Sequence, residues 1–335
     1  MLVKKTKLSK QVFKKEIDEI PTRNGYGEGL VVAGEQDKNV VVLCADLTES
    51  TRSQYFKEKF PERFIEVGVA EQLLATVAAG MAAYGKIPFI SSYAAFSPGR
   101  NWEQIRTTVA LNDVPVKIAG AHAGISVGPD GATHQALEDI ALMRVVPNMV
   151  VIVPADSIET KKAVIAAAKN GKPTYIRLAR EATPVFTTKD SPFEIGKAEV
   201  LWDSSSQKSK NTVAIIACGP LVYEALLAAK ELEKEGVGTI VVNNHTVKPI
   251  DEKTIIEVAK KCDAVVTVEE HQVNGGMGSA VAEVLVKNYP VPIEFIGMQD
   301  SFGESGKPEE LLKKYKMRSE DIVKASKKAI ARENP

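Results

Sequence analysis

Six short apolar runs constrain this chain more than any other feature: NVVVLCAD, RFIEVG, KIPFISSY, VPVKIAG, MVVIVPAD and PTYIRLAR, separated by helical patterns. β-Branched runs bounded by turn residues and alternating with helices predict a parallel, doubly wound sheet. The carboxyl ends of such strands share one edge, where ligands bind. Asp46 ends the first run, with Ser50 in the loop that follows, and Glu71 comes after the second. Tyr93 and Phe96 close the third, His122 follows the fourth, and a glycine-rich loop then carries Asp130 and His134. Arg180 ends the sixth. All of these polar and aromatic groups are expected to converge on one cleft.

Glu71 is the most demanding of them. It opens a helix otherwise built from Ala, Gly, Val, Leu and Met. A helix apolar on nearly every side is normally buried, and a charge there needs a partner. Two readings stand: a solvated first-turn acid that complements the helix dipole, or a buried acid that hydrogen-bonds a ligand, with Tyr93 and Phe96 as a stacking wall. Aromatics at that spacing also serve as ordinary core.

Other patterns carry less. Gly25, Gly27 and Gly29 are expected to precede an apolar helix face and imitate a phosphate loop, but no strand precedes them as a dinucleotide fingerprint requires. His122, Asp130 and His134 are acceptable metal ligands, yet their spacing matches no compact zinc pattern, and histidines satisfied by backbone partners are the alternative. In DGATHQALEDI, Thr133 is a candidate N-cap, with Ala136, Leu137, Ile140 and Leu142 following at helical spacing. Gly275, Gly276 and Gly278 read as a tight turn and close packing at a helix start. His245 and His271 are expected in the core or at a domain interface.

Cys44, Cys218 and Cys262 stand singly in apolar contexts, as buried reduced thiols do. Lys plus Arg equals Asp plus Glu at 43 each, so no global basic field exists for nucleic acid. The tail from Lys313 to Arg332 mixes both signs and reads as a solvated helix face. No apolar run reaches membrane-span length and the amino terminus lacks a secretory core, which points to a cytoplasmic protein with no membrane partner.

At 335 residues the chain has room for two domains. The pattern degrades after Phe186 into Pro, Ser and charge, so residues 1–190 are expected as one domain, 191–211 as a linker and 212–335 as a second, smaller α/β domain.

The strings ADLTES, FIEVGVAEQ, SYAAF with NWEQIR after it, HAGISVGPDGATHQALEDIALMR and RLARE resemble the carboxyl-terminal half of a transketolase, and they cover most of residues 20–185 in the family's order. The resemblance implies a thiamine diphosphate pyrimidine-binding domain followed by a transketolase C-terminal domain. It implies further that Glu71 hydrogen-bonds the cofactor's aminopyrimidine and favours its imino tautomer, a role that burial of a carboxyl suits. Tyr93 and Phe96 would flank that ring, and Asp46 would touch cofactor across a dimer. Arg23, Ser50, His122 and Arg180 would clamp the substrate phosphate, Asp130 would bind a hydroxyl of the ketose, and His134 would stand near the reacting carbonyl.

The family's GDG motif with its following asparagine, which holds the diphosphate and a divalent ion such as Mg2+, has no counterpart here. The resemblance therefore implies one subunit of a split transketolase of the pentose phosphate pathway, active with an amino-terminal subunit in a heterotetramer and self-associating, with the apolar helix after Glu71 in the interface. A 1-deoxy-D-xylulose-5-phosphate synthase half shares the DG-x-THQ pattern but fits GATHQALEDIALMR and RLARE less well. A 2-oxo acid dehydrogenase E1 beta subunit would leave Arg23, His122, Asp130, His134 and Arg180 without a purpose. A non-catalytic regulatory subunit is a third reading, against which the retention of Glu71 and the whole clamp stands.

Overall fold

The structure, a computed structural model, describes residues 1–205 and 211–333. In chain order the first part runs β1 (Glu19–Pro21), α1 (Thr22–Gln36), β2 (Val40–Cys44), α2 (Gln54–Lys59), β3 (Phe64–Glu66), α3 (Glu71–Ala83) and β4 (Ile87–Tyr93). It continues with α4 (Trp102–Gln104), extended by a π-helix over Ile105–Ala110, then β5 (Lys117–Ala121), α5 (Asp139–Arg144), β6 (Val150–Ile152), α6 (Ser157–Lys169), β7 (Thr174–Arg177) and β8 (Ala182–Pro184). The second part holds β9 (Glu199–Asp203), β10 (Thr212–Ala217), α7 (Leu221–Lys234), β11 (Gly238–Asn243), β12 (Thr246–Lys248), α8 (Glu252–Ala259), β13 (Ala264–Gln272), α9 (Met277–Asn288), β14 (Ile293–Met298), α10 (Pro308–Lys314) and α11 (Ser319–Glu333).

All six apolar runs are strands of one sheet, in the order β12-β6-β7-β5-β4-β2-β3, and every pairing among the six is parallel. β2 and β5 are buried at every position, which is why they read as continuous apolar runs rather than alternating ones. Chain order reverses around β2 and β4, and such switch points are where open α/β sheets form a crevice. The second sheet, β14-β13-β10-β11-β9, is parallel except for β9.

Three sequence expectations are corrected. Gly25, Gly27 and Gly29 lie inside α1 rather than ahead of it, and a Cβ on Gly25 would fall 1.9 Å from the Ser157 carbonyl oxygen at the start of α6. Glycine is there so that α1 can approach α6. Thr133 caps no helix, and α5 begins only at Asp139. The Ala136 carbonyl is drawn instead to the Gly124 N–H, and Ala136 bridges Ala123, which holds this segment extended. The expected connector over 191–211 contains β9, whose Leu201 and Trp202 are buried and whose pairing with β11 makes it part of the second sheet. Residues 206–210 of that stretch lie outside the described residues.

The two sheets are not independent. β12, from the second part, adds an antiparallel edge to the first sheet. The amino terminus reaches the other way, where the Val3 N–H bonds the Leu201 carbonyl and the Phe13 ring meets Trp202 edge-on at 5.7 Å. One core cluster runs from Val151, Val153 and Tyr175 into Ile216, Cys218, Val247 and Met277. The three cysteines are free and buried. Gly276 caps α9, where a Cβ would sit 2.2 Å from a Glu269 carboxylate oxygen, so the close approach expected there is made to β13. No helix among the described residues is long and apolar enough to cross a membrane.

Candidate functional site

The carboxyl ends of β2, β4, β5 and β7 carry the expected side chains to one edge. Tyr93, last residue of β4, stacks on His122, just past β5, with centroids 3.9 Å apart and planes at 28°. Phe96 lies parallel to Tyr93 at 6.0 Å, and His134 meets both rings edge-on, at 6.1 Å from Tyr93 and 5.4 Å from Phe96. Two flat rings and two imidazoles thus form one aromatic cluster. His122 holds its place in left-handed backbone, φ 53°, which a non-glycine residue adopts at a cost.

Arg23, in the first turn of α1, enters from the side. Its Nη1 donates to the Ser50 carbonyl at 2.8 Å and faces His122 Nε2 at 3.4 Å. The ring's protonation follows from its surroundings. Burial first, then Arg23 and Arg180, lower the His122 pKa to about 3, so the ring is neutral. Since Nε2 faces a donor, it is the acceptor and Nδ1 carries the hydrogen. That Nδ1–H and the Nε–H of Arg23 are buried without a hydrogen-bond partner. Unpaired N–H donors on two residues in contact with each other fit an anion.

Glu71 answers the question its helix raised. It begins α3, is 2% exposed, and pairs with Arg100 at 2.9 Å. Glu71 is therefore buried and paired rather than a solvated first-turn acid. Arg100 also lies 5.2 Å above the Phe96 ring, linking the carboxylate to the ring cluster. The adjacent Asn101 is fully buried and donates from Nδ2 to the Glu71 carbonyl at 2.9 Å, fixing the α3 amino terminus to the turn after β4.

The remaining residues are engaged outside the ring cluster or exposed. Arg180 donates to the Val127 carbonyl and to Glu181, so its guanidinium is engaged by neighbours. Ser50 contributes its carbonyl to Arg23. Asp46 is exposed in left-handed backbone, φ 58°, and Asp130 is exposed on the loop after β5. Among the described residues neither carboxylate has a hydrogen-bond or ion-pair partner in the chain. The sequence reading missed Arg100 and also Glu66, whose carboxylate accepts from the Asp46 and Gly68 N–H groups and from Thr48, shaping the loop after β2. The proline-glycine turn before Arg100 is the one sequence signal that the chain doubles back there. No group of three or more His, Cys, Asp or Glu among the described residues could hold a metal ion.

Residues 18–185 match the family model described as "Transketolase, pyrimidine binding domain", and 204–322 match "Transketolase, C-terminal domain". A Methanocaldococcus jannaschii protein named "Putative transketolase C-terminal section" is 46% identical over 305 residues, 90% of this chain and 94% of that protein. A Clostridium sp. protein named "6-deoxy-6-sulfo-D-fructose transketolase subunit SqwH" is 39% identical over 97% of this chain and 99% of its own length. A solved structure titled "Split gene transketolase, inactive beta4 tetramer" superposes with a TM-score of 0.83 at 46% identity, covering 93% of this chain and 98% of that one. The transketolase of Rattus norvegicus is 36% identical over 94% of this chain, which spans 50% of that protein. With both domain models matched in order and relatives this similar along nearly its whole length, the chain belongs to the transketolase family and corresponds to that family's carboxyl-terminal half.

Proposed function

We propose that this chain is the carboxyl-terminal subunit of a split, thiamine diphosphate-dependent transketolase, transferring a two-carbon ketol unit from a ketose phosphate to an aldose phosphate. The observation that carries the reading is this cluster: aromatic rings linked through Arg100 to a buried carboxylate, with unpaired N–H donors on Arg23 and on His122, whose ring stacks on Tyr93. Those residues fit a planar aminopyrimidine at one side and a sugar's anionic group at the other.

Thiamine diphosphate, when bound, supplies the carbon nucleophile. This chain's part is to hold it and the sugar. Glu71 hydrogen-bonds the aminopyrimidine ring, and Tyr93 and Phe96 enclose it, with Asp46 reaching cofactor across a dimer. Arg23 and His122 direct N–H groups at the sugar's anion, with Ser50 and Arg180 completing the clamp once Arg180 leaves Glu181. His134 stands by the reacting carbonyl and Asp130 takes a sugar hydroxyl.

The diphosphate and its divalent ion, Mg2+ in the simplest case, fall to an amino-terminal partner subunit. The outer surface of the Glu71 helix supports such an interface, since Val69, Leu73 and Tyr84 are 69%, 49% and 92% exposed. Self-association fits the same surface, and the similar split-gene structure is titled an inactive tetramer of one subunit type.

The test is a ketol-transfer assay on the chain alone and mixed with its amino-terminal partner, with thiamine diphosphate and magnesium in both. Activity in the mixture only is expected, and Glu71→Ala should abolish most of it while circular dichroism stays unchanged. Turnover by the chain alone, or near-normal turnover of Glu71→Ala, would overturn the reading. A sulfonated ketose belongs in the same assay. With Arg180 held by Glu181, the clamp offers Arg23 as its available guanidinium, which suits a monoanion as well as a phosphate.

A further inference from the structure

The turn that joins β4 to α4 is fixed at both ends. A Cβ on Gly99 would sit 2.0 Å from the Ala95 carbonyl oxygen, so only glycine lets the chain curl this tightly. Asn101 then fastens the turn, donating to the Glu71 carbonyl at 2.9 Å and to Ser97 Oγ at 3.2 Å. Arg100 lies between these anchors. Its backbone is held, but its side chain is 51% exposed and reaches Glu71 along the surface.

The guanidinium does two things at once. It donates to Glu71 Oε2 at 2.9 Å, and it lies over the Phe96 ring at 5.2 Å from the centroid. A planar, hydrogen-bond-donating group that covers an aromatic face and binds a buried carboxylate makes the same pair of contacts that an aminopyrimidine would need. The lone pair on Oε2 that Arg100 occupies cannot serve both. A buried carboxylate also has to be paired before any ligand arrives, because leaving it alone is costly.

We propose that Arg100 is a built-in placeholder for the aminopyrimidine: it pairs with Glu71 in the unloaded chain and must swing out to solvent when the ring binds. The inference rests on the cofactor reading of Glu71 given above. Its two consequences run in opposite directions. Arg100 stabilises the unloaded chain through Glu71, and it weakens cofactor binding because every binding event first breaks the ion pair. An ordinary cofactor contact would do the reverse in binding, and a merely structural arginine would leave affinity alone.

The experiment titrates thiamine diphosphate, with magnesium, into the complex of this chain and its amino-terminal partner, following calorimetric heat. Arg100→Ala should tighten binding several-fold, while Arg100→Lys, which keeps the charge, should stay near the parent affinity. In parallel, the thermal midpoint of the unloaded chain should fall for Arg100→Ala, and that fall should largely disappear when Glu71 is already Gln, as a double-mutant cycle requires of a coupled pair. Weaker or unchanged binding by Arg100→Ala, or a thermal effect independent of Glu71, would overturn the placeholder while leaving the cofactor reading intact. If the parent complex shows no heat of binding at all, the cofactor reading falls and the placeholder with it.

Discussion

Arg177 and Arg23 are both arginines at the edge of the first sheet, and they are used in opposite ways. Arg177 is buried, bonds Asp139 Oδ2 from Nε at 2.8 Å, and donates from Nη2 to the carbonyls of Ala136 and Glu270. Around it Tyr175 donates to the same Asp139 oxygen, Glu270 accepts from the Ser126 N–H, and Glu269 accepts from the Met277 and Gly278 N–H groups. Burial opposes the charge of Asp139, but Arg177, His271 and the Tyr175 hydroxyl together lower its pKa. Arg23, by contrast, leaves its Nε unpaired, as His122, which faces its Nη1, leaves Nδ1. Burial, then the guanidiniums of Arg52 and Arg180, lower its pKa, and the weaker opposing effects of Tyr93 and Glu181 do not reverse this. The bonds of Arg177, Asp139, Glu269 and Glu270 tie the two sheets together with Asp139 Oδ1 left unpaired, whereas at Arg23 and His122 it is N–H donors that are left unpaired, as a site for an anion requires.

The largest effect should come from breaking the bonded network. Asp139→Ala strands a buried guanidinium and should cost about 3–5 kcal/mol in chemical denaturation. A loss under 1 kcal/mol would erase the contrast. Arg23→Met should do the opposite, leaving stability within about 1 kcal/mol while raising KM for phosphorylated ketoses roughly tenfold to a hundredfold, the worth of a charged hydrogen bond. Equal losses with unphosphorylated ketoses would remove Arg23 from the clamp.

Acid and base should then separate the two regions. Burial, reinforced by Asp156, pushes Glu159 up to about 8 from the usual 4.5, and burial pushes Glu269 up to about 7. Between 4.5 and those values the folded chain keeps protons that the unfolded chain has released, so these groups lower stability as pH rises. His122 runs the other way: depressed from 6.5 to about 3, it costs stability as pH falls through that window. Glu159→Gln should flatten the fall in stability between pH 4.5 and about 8, and His122→Gln the fall between pH 6.5 and about 3, each by up to about 1.4 kcal/mol per pH unit. Profiles parallel to the parent would show that neither group is buried in its stated form.

Much of the site was legible. The runs ending at Asp46, Tyr93 and Arg180 indicated which side chains reach the sheet's carboxyl edge, because a parallel sheet sends every strand's carboxyl end the same way. Glu71 announced itself as a charge on an apolar helix. Its partner did not, since Arg100 meets it through a turn whose geometry depends on Gly99 and Asn101 together. Thr133 failed as a cap because a tertiary bond from Gly124 outcompeted the local helix signal. β9 was hidden by the Ser- and charge-rich residues beside it, although Leu201 and Trp202 were there to be buried.

By itself, then, the sequence determined the alternation of strands and helices, the parallel sheet and the list of residues on its working edge. These follow from local periodicity and from motifs that lie within single segments. Only the tertiary structure decided which buried charges are paired and which are left open. Arg177 finds Asp139 and the Glu270 carbonyl, and Glu71 finds Arg100, through contacts 29 to 93 residues apart in the chain. Such pairings depend on how whole elements pack, and no local pattern encodes them.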